Sequence, residues 1–252
     1  SGRQYHIFSK QDCLVSSKVE AKLQDFGAKF METELLSGSH GFPLFDSELI
    51  SCKICQYLKK IEQTIDKALS EHSRVLAVRI DLHTPALKPL NDMPDEANFA
   101  RTDSSVISRF TDSLKAKISH YLNKREKEGK RVRKTSLRVV WAREFAPDSH
   151  KKHYHVLLLL NGDTFNTLGA YDSKKGTLLR LIRESWMSAV SFIYPPDKEL
   201  VHTPRNPCYY LNAKDGKKSE SYGSLIYRTS YFAKKKSKCF TDGERNFGCS
   251  FK

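Results

Sequence analysis

In the stretch His153-Tyr154-His155 two imidazoles stand two positions apart. On an extended strand side chains alternate, so both imidazoles would face one way and Tyr154 the other. Two such nitrogens can converge on one metal ion. The same pattern also fits a zinc site, a pair of buried hydrogen-bonded imidazoles, or coincidence on a strand. Glu144 lies just before a turn built on Pro147, Asp148 and Ser149, so it falls on the expected antiparallel partner strand. With matching parity its carboxylate reaches the same ion; without it, Glu144 is an exposed strand charge. His150, in the turn itself, competes as third ligand. Two nitrogens and one oxygen, with positions left open for phosphate and water, suit Mg²⁺ or Mn²⁺ acting as a Lewis acid.

The candidate nucleophile is Tyr231. Tyr231 lies four residues after Tyr227, with Lys234 and Lys235 three and four residues further on, so they share one face of an expected helix. A phenol with its ordinary pKa of about 10 is a weak nucleophile, and adjacent ammonium groups favour the phenolate and also bind phosphate. The alternative is that Tyr227 packs in the core and the lysines are merely solvated. Further phosphate contacts are expected from Lys235, Lys236 and Lys238, and from Arg131 and Arg133 in the basic run 124–134, a run otherwise read as a solvated helix end. Cys52 and Cys55 have the spacing of half a zinc site but fall within an amphipathic helix, which favours burial. Asp81 and His83 share one face at the end of a strand; ending that strand is the preferred reading, bordering the metal the other.

These groups must be positioned by a mixed set of elements. Leu14, Val19, Leu23, Phe26 and Phe30 follow a loose helical spacing, and a second helix carries a stripe from Leu49 to Leu69. Residues 1–72 are therefore expected to form a helical N-terminal extension, and 73–252 a second domain that carries the strands and the candidate site residues. Strand alternation marks Arg74 to His83, Leu137 to Glu144 and His153 to Leu160. Helical spacing marks Ile107 to Tyr121 and Leu178 to Val190. Short strands are expected at Leu200 to Thr203 and Tyr209 to Asn212, a helix from Ser224 to Lys238, and an irregular tail from Cys239. The class is α+β.

Lysine and arginine number 43 against 29 acidic residues, a net charge of +14, which draws polyanions and makes nucleic acid the leading partner. Hydrophobic residues at 39% and aromatics at 11% suit a globular core. No run approaches the roughly 18 apolar residues of a membrane span, and Ser1 to Lys10 lacks the apolar core of a secretion signal. A cytoplasmic location and no membrane partner are expected, and six cysteines at this length argue against a disulfide framework.

The order of motifs, a strand, then Glu144, then His153-Tyr154-His155, then a helix with Tyr231-Phe232-Ala233-Lys234, resembles the His-hydrophobic-His (HUH) replication initiators. Arg79-Ile80-Asp81-Leu82, His153 to Asn161, Tyr227 to Lys238 and Arg245-Asn246-Phe247-Gly248-Cys249-Ser250 also look like the YagK/YfjJ C-terminal domain family of prophages, similar to the gene-two-type initiators of inoviruses. The resemblance runs from about Arg74 to Phe251. It implies a central antiparallel sheet flanked by helices, in which a tyrosine nicks one strand of single-stranded or origin DNA, keeps the 5′ phosphate as a phosphotyrosine and leaves a 3′ hydroxyl. Rolling-circle replication of a phage, prophage or satellite element, with host helicase and polymerase as partners, would follow. Related initiators carry Tyr-x-x-Lys-Tyr; here Lys235 stands at the second tyrosine's place, so one nucleophile is expected and Tyr227 is a candidate second. A DNA-binding prophage regulator with a degenerate site is the alternative.

Overall fold

The computed structural model describes residues 47–85, 101–146, 151–169, 177–191, 200–233 and 238–250. The chain divides into two compact units, 1–56 and 57–252. The helix expected over Leu14 to Phe30 lies outside the described residues, as do His150, Lys234, Lys235 and Lys236.

The centre of the second unit is a six-stranded sheet, antiparallel at each pairing. In chain order the elements are α1 (Ser47–Glu71), β1 (Arg74–His83), α2 (Val106–Lys127), β2 (Arg138–Phe145), β3 (Lys152–Asn161), α3 (Leu178–Val190), β4 (Val201–His202), β5 (Cys208–Asn212), α4 (Glu220–Ser230) and β6 (Phe247–Cys249). β3 is central, with β1 on one side and β2 on the other. β4 and β5 both pair with the outer edge of β1, and β6 closes the outer edge of β2.

Alternation sorts the strand residues onto two buried faces. Leu76, Val78, Ile80 and Leu82 of β1 join Tyr154, Val156, Leu158 and Leu160 of β3 beneath α2 and α3. Val75, Ala77, Leu157, Leu159, Val140 and Ala142 face the other way, against Ile61, Ile65 and Ala68 of α1, Tyr222 and Leu225 of α4, and Phe232. β1 and β3 thus carry apolar residues on both faces. The stripe on α1 suggested an extension, but from Tyr57 onward this helix belongs to the unit that holds the sheet and supplies part of its core.

Two segments differ from expectation. The helix expected over Ser224 to Lys238 begins at Glu220, where the Ser219 hydroxyl accepts from the Tyr222 amide, and ends at Ser230. Near its end the Thr229 and Ser230 hydroxyls donate to the carbonyls of Leu225 and Tyr227, a local competition that weakens the helix. Tyr231–Ala233 continue as a 3-10 turn that buries Phe232 and Ala233. The tail, read as irregular, contains β6. Its Gly248 lies against the Trp141 indole, where a Cβ would come within 2.6 Å of the ring, so only glycine allows this strand to lie flat on its neighbour.

Trp186 of α3 secures the C-terminal end of β1, where Asp81 and His83 sit. Its ring is fully buried, edge-on to Phe110 and Tyr154, and its indole N–H donates to the His83 carbonyl at 2.8 Å. Replacing Trp186 by Phe removes that donor and part of the buried ring, and should lower unfolding stability by about 1–3 kcal/mol in urea titration.

Candidate metal centre

The apolar face under α1 and α4 stops at Ala77, Leu157 and Ala142, and the same face continues as Arg79, Asp81, His83, His155, His153 and Glu144. Register brings these together. His153 pairs with His83 on one side and Glu144 on the other; His155 pairs with Asp81 and Ala142. Glu144, His153 and His155 form a group whose ligand atoms all lie within 4.8 Å of one another, so they could hold a metal ion. Tyr154 points to the opposite face, where burial pushes its phenol up to about 12.

The donor chemistry fits a divalent ion. Glu144 Oε2 lies 3.4 Å from His155 Nε2 and 4.0 Å from His153 Nε2. Atoms each about 2.1 Å from a shared ion are separated by roughly 3–4 Å, so these three can share one with little movement. Glu144, at 7% exposure, is a buried acid, not the exposed strand charge that was its alternative reading.

Asp81 has a role that the sequence left as a mere strand ending. Its Oδ1 lies 2.6 Å from His155 Nδ1, which leaves Nε2 turned toward Glu144. A carboxylate behind a ligating imidazole fixes its tautomer and orientation. Burial opposes charge on His155, but the hydrogen bonds and charges of Asp81 and Glu144 outweigh it and raise the pKa. Burial likewise opposes ionisation of Asp81, yet His155 and Arg79 hold its pKa below the usual carboxylate range. For His153 and His83, burial pushes the pKa down. The signal for Asp81 was parity: on an alternating strand it shares the face of His83, and the pairing partner decides what that face meets.

Lys238, expected to contact DNA, instead buries its side chain to 1% exposure and places Nζ 3.1 Å from Glu144 Oε1. The loop that delivers it is clamped from the other face of β2. There Arg143, 1% exposed, donates to Asp242 at 2.7 and 2.9 Å, to Glu244 at 2.6 Å and to the Asn246 side chain at 2.9 Å. Glu244 also accepts from Lys152 at 2.7 Å. Arg143 sat unnoticed in the sequence because an arginine in a strand normally reads as solvent-facing.

Tyr227 is 53% exposed, which excludes the alternative that it packs in the core. Its hydroxyl lies 3.4 Å from that of Tyr231, with the two rings perpendicular. That contact is the leading reason the Tyr231 pKa is raised, with burial second and Arg228 opposing. Tyr231 immediately precedes Phe232, whose ring stacks at 6.0 Å on His155, so the turn bearing Tyr231 is docked against the metal group's own ligand. Arg131 and Arg133 are not buried, and Arg133 approaches Asp163 at 3.9 Å, beside the far end of β3. Between positions 153 and 161 the strand runs roughly 26 Å at about 3.3 Å per residue, so these two arginines do not join the metal group.

A sheet with helices on both faces and a two-histidine, one-carboxylate group on neighbouring strands defines an α+β protein with a candidate metal centre. The chain belongs to the YagK/YfjJ C-terminal domain family, whose model matches residues 47–250. It is 37% identical to the uncharacterized protein YfjJ of Escherichia coli (strain K12) over 82% of this chain and 98% of the relative. It is 35% identical to the uncharacterized protein YagK of the same strain over 78% of this chain and 93% of the relative. No solved structure matches significantly.

Two outcomes test the geometry. In Asp81→Asn the amide can offer His155 Nδ1 a donor instead of an acceptor, favouring the tautomer that closes Nε2. Mn²⁺ affinity measured by calorimetry should fall about 10- to 100-fold with the fold intact. The Asp242 carboxyl is lowered from 3.8 to about 2, first by its hydrogen bond to Arg143. A depressed folded-state pKa stabilises above the unfolded value, and that stability is lost as pH falls through the folded one. Protection of β6 amides from hydrogen exchange should therefore decline between about pH 4 and pH 2, and be unaffected by changes above pH 5.

Proposed function

We propose that this chain is a site-specific single-strand DNA nicking and joining enzyme of the His-hydrophobic-His type, a rolling-circle replication initiator of a phage, prophage or satellite element. The observation that carries the reading is the pairing of two features on one sheet face: the Glu144–His153–His155 group, and a tyrosine-bearing turn anchored on His155 through Phe232. The net charge of +14 supports single-stranded or origin DNA as the substrate.

Glu144 Oε2 and the two imidazole Nε2 atoms would hold Mg²⁺ or Mn²⁺, which supplies Lewis acidity toward a phosphate oxygen. Asp81 keeps His155 oriented for that task. Tyr231 Oη attacks the phosphorus in line; the Oη–P bond forms, the bond from phosphorus to the 3′ oxygen breaks, and the phenol's proton ends on that oxygen. A tyrosine is a phenol at neutral pH and the contact with Tyr227 raises the Tyr231 pKa further, so the nucleophile must lose its proton as it attacks. Lys234 offsets the charge that develops on the phosphate, while Lys235 and Lys236 contact the backbone beside it. The 3′ hydroxyl is then available to host polymerase and helicase in the cytoplasm of a bacterial cell. The 3.4 Å contact between the phenols makes Tyr227 the candidate for a second, returning attack.

One observation favours a second reading. The Lys238 ammonium on Glu144 neutralises a ligand without any metal, as a DNA-binding prophage regulator with a degenerate site would do.

Incubation with single-stranded origin DNA and Mn²⁺ should leave a covalent protein–DNA adduct, seen as a shifted band in denaturing gels. Tyr231→Phe should abolish it. An adduct that persists in this variant and disappears in Tyr227→Phe moves the nucleophile to Tyr227. DNA binding without any adduct in the wild type would establish the regulator instead.

A further inference from the structure

Lys238 is an unusual neighbour for a cation site. Its side chain is 1% exposed, and its ammonium lies 3.1 Å from one oxygen of Glu144, while the other oxygen faces both imidazoles. Burying an ammonium costs several kcal/mol unless it is paired. The pair is built: the residues after Lys238 are fastened to Arg143, on the opposite face of the same strand, through Asp242, Glu244 and Asn246. A lysine delivered by such a clamp is not an accident of a surface chain.

We propose that Lys238 is a positioning residue of the metal centre that stands in for part of the metal's charge. It compensates Glu144 when no ion is bound, holds that carboxylate to one ligating oxygen, and opposes ion binding. The inference rests on the reading of Glu144, His153 and His155 as a divalent-ion site. The balance of charges gives the arrangement a purpose. The two carboxylates at the site, Glu144 and Asp81, balance a divalent ion between them, and the Lys238 ammonium, with the Arg79 guanidinium 3.7 Å from Asp81, then leaves two positive charges over. That surplus attracts the negative charge of a phosphodiester. A site without the lysine would bind the ion more tightly and the phosphate less well.

The physical signature is antagonism between Lys238 and the ion, readable without any DNA reaction. In the chelator-treated full chain, Lys238→Met removes the charge and keeps most of the stem, whereas Lys238→Gln removes the charge and keeps a hydrogen-bond donor. Both should bind Mn²⁺ about tenfold more tightly than wild type by calorimetry. Both should melt at lower temperature when metal-free and gain more from added Mn²⁺, because the ion then compensates the Glu144 charge in the lysine's place. If Lys238→Met does not fold without metal, Mn²⁺-dependent recovery of its folding carries the same meaning.

Unchanged or weaker Mn²⁺ binding in both variants overturns the proposal, as does an absence of Mn²⁺ binding in all three proteins. The nicking reading stands or falls separately, on adduct formation by the wild type. Tighter Mn²⁺ binding in the variants with no wild-type adduct would leave Lys238's role in place and remove the nuclease; the reverse combination would do the opposite.

Discussion

The antiparallel register of β1, β3 and β2 is the constraint on which the rest depends. Asp81 lies opposite His155, His83 opposite His153, and Glu144 opposite His153 on the other side. Because side chains alternate, a slip of one residue would turn the imidazoles into the α2 and α3 core and bring Tyr154 out in their place. Over the apolar stretch of β3 such a slip exchanges one buried aliphatic for another, so it is opposed chiefly at this end of the strand, where two imidazoles would be buried in place of Tyr154. Core shape and the cost of burying the group's own polar side chains thus set the register together.

The two faces of β2 divide a task at its end. Glu144 faces the imidazoles, and Arg143, one position earlier, faces away and gathers the C-terminal loop. That loop curls round the sheet edge and returns Lys238 to Glu144. Adjacent residues of one strand therefore communicate through a loop of the chain end: Arg143 sets where Lys238 can go, and Lys238 sets the charge that Glu144 presents. The Asn246-Phe247-Gly248 stretch belongs to the same device. Asn246 accepts from Arg143, Phe247 stacks on Tyr57, and Gly248 lets β6 lie against Trp141.

The site's electrostatics separate proton chemistry from ion binding. His155 stands between two carboxylates and tends toward the charged form, whereas His153, with burial dominating, tends toward the neutral one. The tyrosine pair lies across the turn from this group, with Tyr231 raised in pKa by its contact with Tyr227 and its turn docked through Phe232.

The sequence by itself determined the strands and their faces. Period-two alternation located β1 at Arg74–His83, and the spacing of His153 and His155 put both on one side of β3. Turn residues between Glu144 and His153 made β2 its neighbour, with Glu144 as one candidate third member beside His150. Helical stripes likewise placed α1 and α3. Those features are local, set by periodicity and by a short connection. Only the tertiary structure decided what lies far apart in the chain. Asp81 behind His155, Lys238 on Glu144, Arg143 holding the tail and Arg133 at the far end of β3 each depend on pairing between distant segments. A charged residue in isolation reads as solvated, because desolvation is costly. It becomes a buried ligand partner only when a particular opposite charge arrives from elsewhere, and the arrival of that charge is a property of the fold, not of spacing.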